Sequence, residues 1–120
     1  MGLSFEEYQR RAAATAVYPY IKTWQDNRYN DSSYLYPALG LCGEAGEVAE
    51  KIKKMVRDKG GIATPEDRVA IKKELGDVLW YVHALCDEFD LDMGDVAQGN
   101  LDKLAARAAK GTLGGSGDNR

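Results

Sequence analysis

The chain carries little of what most metal and redox sites are built from. Its 120 residues include one histidine, His83, and two cysteines, Cys42 and Cys86, far apart in sequence. No Cys-x-x-Cys pair or Cys/His cluster exists, which argues against a zinc site. Both cysteines fall inside apolar helical patterns and are expected as buried, reduced thiols, as suits a reducing compartment. No apolar run approaches the roughly 18 residues of a membrane span. Met1-Gly2-Leu3-Ser4 leads to Glu6, Glu7, Arg10 and Arg11 rather than to an apolar stretch, so no secretory signal is expected and a cytoplasmic location is. Basic excess is absent too. The balance of 16 Lys and Arg against 19 Asp and Glu gives a formal charge of −3, with no support for binding a nucleic-acid polymer. A charged small substrate is still compatible, because a bound divalent cation outweighs a small net charge locally. There is no strand-like alternation of useful length and no repeat array.

What is present is helical periodicity, in four segments. The first runs from about Phe5 to Ala16, with Ser4 as N-cap and Pro19 ending or kinking it. Tyr18 to Tyr36 is polar and aromatic, rich in turn formers, with a short helix expected around Ile21 to Trp24. The second helix spans about Ser33 or Pro37 to Asp58 and is stopped by Gly60-Gly61. The third follows Thr64 as N-cap, with Pro65 at its first position and Glu66 and Asp67 matching the helix dipole, and continues to about Phe89. The fourth runs from about Met93 to Lys110, between Asp92 and Gly111. The expectation is an all-α, four-helix-bundle-like single domain over 1–110, followed by a mobile glycine-rich tail over 111–120.

The acids of the second and third helices are the most informative feature. Leu41, Ala45, Val48 and Ile52 form one apolar stripe, and Ile71, Leu75, Val78, Val82 and Leu85 form another. Glu44 and Glu47 are three apart and share a side of their helix, as do Glu74 and Asp77. Both pairs flank their stripes on the same side. If the stripes pack together, four carboxylates converge at the edge of the core. Such a group takes up protons or a cation, and hard oxygen donors suit Mg²⁺, Mn²⁺ or Ca²⁺. A di-iron bundle would instead use Glu-x-x-His motifs, which this chain lacks. Gly40, Gly43, Gly46 and Gly76 crowd the acids, each costing its helix about 1 kcal/mol against alanine, a cost that close approach by a ligand or a neighbouring helix would explain.

The run Gly43-Glu44-Ala45-Gly46-Glu47-Val48-Ala49-Glu50, then Lys73-Glu74-Leu75-Gly76-Asp77-Val78-Leu79, resembles the MazG-like branch of the all-α nucleoside triphosphate pyrophosphohydrolases. The signature is Glu-x-x-Glu followed by Glu-x-x-Asp, here separated by the 26 residues Val48 to Lys73. Asn100-Leu101-Asp102-Lys103-Leu104 and Arg107 resemble the family's Asn-x-x-Lys element. The resemblance covers about Leu39 to Lys110. It implies Mg²⁺-dependent cleavage of a nucleoside triphosphate between the α and β phosphates, with Mn²⁺ as a possible substitute, in the service of clearing surplus or noncanonical nucleotides. It also implies a homodimer or homotetramer whose subunits complete each other's pocket. Carried across, Glu44, Glu47, Glu74 and Asp77 become metal ligands.

Glu47 is the candidate for accepting a proton from water. Lys54 and Lys103 are candidates for phosphate contacts, Asn100 for the sugar, metal shell or phosphate, and Trp24 and Tyr81 for contact with the base. Glu50 is a further acid beside the site, and His83 is read as structural or exposed. Arg120 and the tail backbone are candidates for a flap over the phosphates. Alternatives are a dUTPase-like enzyme, a phosphoribosyl-ATP pyrophosphohydrolase, and a helical interaction module without turnover.

Overall fold

The computed structural model describes residues 2–18, 22–25, 28–31, 34–115 and 117–118, with side chains described for 2–18, 34–115 and 117–118. Four helices make its framework: α1 (Phe5–Ala12), α2 (Leu35–Lys59), α3 (Pro65–Glu88) and α4 (Met93–Lys110). The all-α expectation holds for this framework, and the helix boundaries follow the capping chemistry. Ser4 accepts a hydrogen bond from the Glu7 amide, and Asp92 accepts one from the Asp95 amide. Gly60 and Gly111 close α2 and α4 in the left-handed conformation, at φ 63° and 71°, which glycine adopts without a Cβ penalty.

Two local expectations need correction. Helix α1 ends at Ala12 and tightens into a 3₁₀ turn over Ala13–Thr15 instead of running on to Ala16; Pro19 lies outside the described residues. The short helix expected near Ile21 to Trp24 is replaced by an antiparallel ribbon, β1 (Lys22–Gln25) with β2 (Arg28–Asp31), in which Trp24 pairs with Tyr29. Thr, Trp and Tyr favour extended backbone, and a four-residue strand is too short to show convincing alternation in sequence.

The α2–α3 hairpin is the main packing unit. Its turn is held by reciprocal bonds. The Asp67 amide donates to Thr64 Oγ1 at 3.1 Å, and the Thr64 amide donates to Asp67 Oδ2 at 2.9 Å. Lys59, the last residue of α2, reaches the same carboxylate at 2.8 Å. Asp67 therefore ties the end of α2 to the start of α3. Leu41, Val48, Ile71, Val78, Val82 and Leu85 of the two stripes are at least partly covered, whereas Ala45, Ile52 and Leu75 are exposed.

Helix α1 joins this hairpin to α4. Gln9 donates to Asp87 Oδ1 at 2.7 Å and to the Leu91 carbonyl at 2.9 Å, and its Oε1 accepts from the Met93 amide at 2.8 Å. The buried residues of this junction are His83, Ala84, Cys86 and Met93. His83 is fully enclosed, with Nδ1 2.6 Å from the Trp80 carbonyl, so of the two expectations, structural or exposed, exposure is excluded. Burial pushes the Cys86 thiol up from its ordinary value. Cys42 departs from the expectation of burial and is exposed, because the face of α2 that carries it is not covered within one chain. No helix among the described residues is long and apolar enough to cross a membrane.

The hairpin turn has a pH signature. The Lys59 ammonium and the Thr64 amide hold Asp67 at about 2, below the ordinary 3.8. A depressed carboxyl stabilises the fold fully above the unfolded value and loses that contribution as pH falls through the folded one. Denaturation of Asp67→Asn between pH 5 and pH 2 should show a flatter fall in stability than wild type. Thr64→Ala should cost about 1 kcal/mol at neutral pH, as for loss of an N-cap.

Candidate metal centre

Helical periodicity carries the acids to the middle of the α2–α3 hairpin. Because α2 and α3 run antiparallel, Glu44 meets Glu74 and Asp77 across the interface. One carboxylate oxygen from each of the three lies within 4.8 Å of the others. Glu44 and Glu74 are half-buried and Asp77 is exposed, so the trio sits at the rim of the hairpin rather than inside it. The Glu44 carboxyl is held above its ordinary range, first by partial burial and then by the charges of Asp77, Glu74 and Glu47. Three mutually repelling oxygen donors facing solvent are a suitable set for a hard divalent cation.

Glu47, the fourth acid, does not join that group. It lies one turn beyond Glu44 on the same helix and is exposed; its charge is nonetheless felt by Glu44. Glu50 pairs with Lys53 at 2.9 Å and Lys54 at 3.7 Å, which turns it away from the acids. Lys54 itself is ten residues along α2 from Glu44, about 15 Å at 1.5 Å per residue. It lines a separate cavity of about 370 Å³ at the hairpin turn, with Lys51, Lys59 and Asp67. Asn100 is exposed on α4, and Lys103 is engaged by Asp118 at 3.0 Å. The side chain of Trp24 and the whole of Arg120 lie outside the described residues.

Tyr81 is brought to the acids. A cavity of about 350 Å³ is lined by Glu44, Asp77, Trp80, Tyr81 and Thr15. Burial, the neighbouring Tyr36 and the Glu44 and Asp77 charges raise the Tyr81 phenol above its ordinary value. Trp80 packs edge-on against Tyr81, with ring centroids 5.1 Å apart, and its indole Nε1 donates to Thr15 Oγ1 at 2.8 Å. Tyr18 stacks on Tyr36 at 5.5 Å and meets Trp80 edge-on at 6.0 Å. Tyr18 also donates to Glu88, and burial followed by that contact raises its phenol. The cavity thus has an acidic wall and an aromatic wall. Thr15 and Tyr36 carried no site signal in the sequence, since neither belongs to a motif: Thr15 reaches the cavity from the 3₁₀ turn after α1, and Tyr36, in the first turn of α2, neighbours Tyr81.

The glycines near the acids are only partly explained by packing. A Cβ at Gly40 would overlap the Tyr81 ring, so glycine is what lets the ring lie flat on α2. At Gly43, Gly46 and Gly76 a Cβ would meet nothing, and the expected close approach of a neighbouring helix is not made there within one chain. On helix propensity alone Gly40→Ala should stabilise α2 by about 1 kcal/mol. The overlap with Tyr81 predicts instead that the ring swings out. This should appear as a shift in Trp80 emission, with net destabilisation of about 1–3 kcal/mol as for an overpacked site. Unchanged emission with a more stable protein would contradict the contact.

Comparison with known proteins gives the family. The family model of the MazG nucleotide pyrophosphohydrolase domain matches residues 33–112, which contain α2, α3 and α4 and all the acids of the site. The protein named Gene 37 protein of Mycobacterium phage L5 is 44% identical over 113 residues, covering 94% of this chain and 96% of its own length. The chain belongs to the MazG nucleotide pyrophosphohydrolase domain family.

Proposed function

We propose that the chain is a Mg²⁺-dependent nucleotide pyrophosphohydrolase that cleaves a nucleoside or deoxynucleoside triphosphate between the α and β phosphates, releasing the monophosphate and pyrophosphate. Clearance of surplus or noncanonical nucleotides is the role that goes with this reaction. The observation that carries the reading is the convergence of Glu44, Glu74 and Asp77 within 4.8 Å beside an aromatic wall. Mg²⁺ or Mn²⁺ bound there supplies charge neutralisation at the phosphate oxygens and lowers the pKa of a bound water. Glu44, Glu74 and Asp77 hold the cation through hard oxygen donors. Glu47, one turn along α2, completes the ligand set or takes the proton of the attacking water. Tyr81 and Trp80 bound the side of the cavity away from the acid trio and orient the nucleoside, with Trp24 as a further base contact. Asn100 and Lys103 on α4 meet the sugar and phosphates. Lys54, being remote from Glu44 and paired with Glu50, reaches the same substrate only from another subunit.

An oligomer fits the surface. A compact folded chain of 13.2 kDa exposes about 6,400 Å² by the usual scaling, and this one exposes 8928 Å². The excess, about 2,500 Å² per chain, is of the size that obligate homodimers cover. Leu39, Val56, Leu75 and Leu101 are among its exposed apolar residues. The single domain over 1–110 is thus read as one subunit of a homodimer or homotetramer. Light scattering should return at least twice the mass of one chain, and a monodisperse monomer would overturn this part of the reading.

The reaction is tested by a nucleotide panel with pyrophosphate detection, with Mg²⁺ and with chelator. Chelation should abolish turnover. Asp77→Asn and Glu47→Gln should each lower it by about 100-fold or more, with helical content unchanged. Near-wild-type rates in both variants would remove the acids from the mechanism. Metal binding without turnover of any nucleotide would favour an interaction module.

A further inference from the structure

Outside the acid site, the most unusual group is Arg107 in the last turn of α4. Its side chain is only 7% exposed, yet Nε has no hydrogen-bond partner. A guanidinium removed from water needs an anion and satisfied donors. What it has is the chain's own tail. Nη2 donates to Asp118 Oδ1 at 3.0 Å and to the Gly117 carbonyl at 3.2 Å. Lys103, one turn earlier on the same face, donates to that same oxygen at 3.0 Å. One carboxylate oxygen therefore serves two cations while an arginine donor goes unused.

We propose that Asp118 caps the Lys103–Arg107 pair when no phosphate is bound, so that the C-terminal tail competes with a phosphoryl group for the phosphate-binding face of α4 and regulates its occupancy. The choice of ligand class rests on the pyrophosphohydrolase reading; the pair and its cap rest on the geometry of α4 and the tail. A phosphoryl group fits the pair better than the carboxylate does. It carries more charge and more oxygens, and the arginine fork is matched to such groups. The cap is built to be displaced. The Asp118 side chain is 77% exposed, and exposed ion pairs contribute only about 0–1 kcal/mol each. Gly111, Gly115 and Gly117 all have positive φ in the tail, which lets the chain turn back to α4. Being tethered, the carboxylate has a high effective concentration and still acts as a competitor despite its weak pairing. The cations in turn hold the Asp118 carboxyl below its ordinary value, so the cap stays charged at neutral pH.

Titration calorimetry of the full chain with tripolyphosphate, in chelator and at low salt, isolates the Lys103–Arg107 pair from the metal centre. Asp118→Asn should bind tripolyphosphate about 3- to 10-fold more tightly than wild type, the release expected from losing two ion pairs whose carboxylate is solvent-exposed. Lys103→Met and Arg107→Lys should each bind it more weakly, the second variant retaining a buried cation should the first disturb the helix. Unchanged affinity in Asp118→Asn, with weakened binding in the other two, would overturn the cap. Unchanged affinity in all three would overturn both the cap and the pair's part in binding phosphate. Failure of the pyrophosphohydrolase reading shows elsewhere, as absence of turnover by the wild-type chain across the nucleotide panel.

Discussion

Mutual repulsion among Glu44, Glu74 and Asp77 is the constraint on which the rest of this molecule depends. Like charges at this range are unfavourable, and nothing in the isolated hairpin would choose to bring them together. They are forced into proximity by the register of α2 against α3. That register is set by the apolar stripes and pinned at the turn by Thr64, Asp67 and Lys59. Stability is thus invested at the turn of the hairpin to maintain an unfavourable arrangement midway along it. Such a division is common where a protein holds a site ready for a charged partner.

Much of this was legible in the chain itself. Ser4, Thr64, Asp92, Gly60 and Gly111 are short-range signals, because a cap acts within one turn of its own residue, and each does what its type implies. The convergence of acids followed from i,i+3 spacing beside two stripes, again a local pattern extended by one assumption about packing. The failures have a different origin. The ribbon of β1 and β2 is too short to leave a periodic trace. Cys42, Ala45 and Leu75 look like core in sequence but are exposed on a single chain, because periodicity reports that a face is apolar and not what covers it. Glu47 shares its side of α2 with Glu44 but is exposed and outside the trio, whereas the equally spaced Glu74 and Asp77 both join it, so spacing alone does not decide membership. Thr15 reaches the cavity from the 3₁₀ turn that follows α1, a tertiary placement that no spacing rule describes.

The two walls of the central cavity divide the chemistry. On the proposed reading, carboxylates suit the charged end of a nucleotide through a cation, while Trp80 and Tyr81, backed by Tyr18 and Tyr36, offer flat, polarisable surfaces. The edge-to-face contacts among those rings and the Trp80–Thr15 hydrogen bond lower their freedom before any ligand arrives, which reduces the ordering cost of binding. Family membership gives the class of reaction. If the proposed function holds, the aromatic wall is where one member would differ from another in the base it accepts, since the acids are common to the signature.

The fit of the Tyr81 ring against Gly40 has a further implication. The two positions share one fixed volume across the α2–α3 interface, so the absence of a side chain at 40 is meaningful only while 81 carries a large ring. Among related chains, positions 40 and 81 should therefore exchange bulk as a pair. A relative with a small residue at 81 is free to carry alanine or serine at 40, and its cavity should be wider on the aromatic side by about the volume of the lost ring.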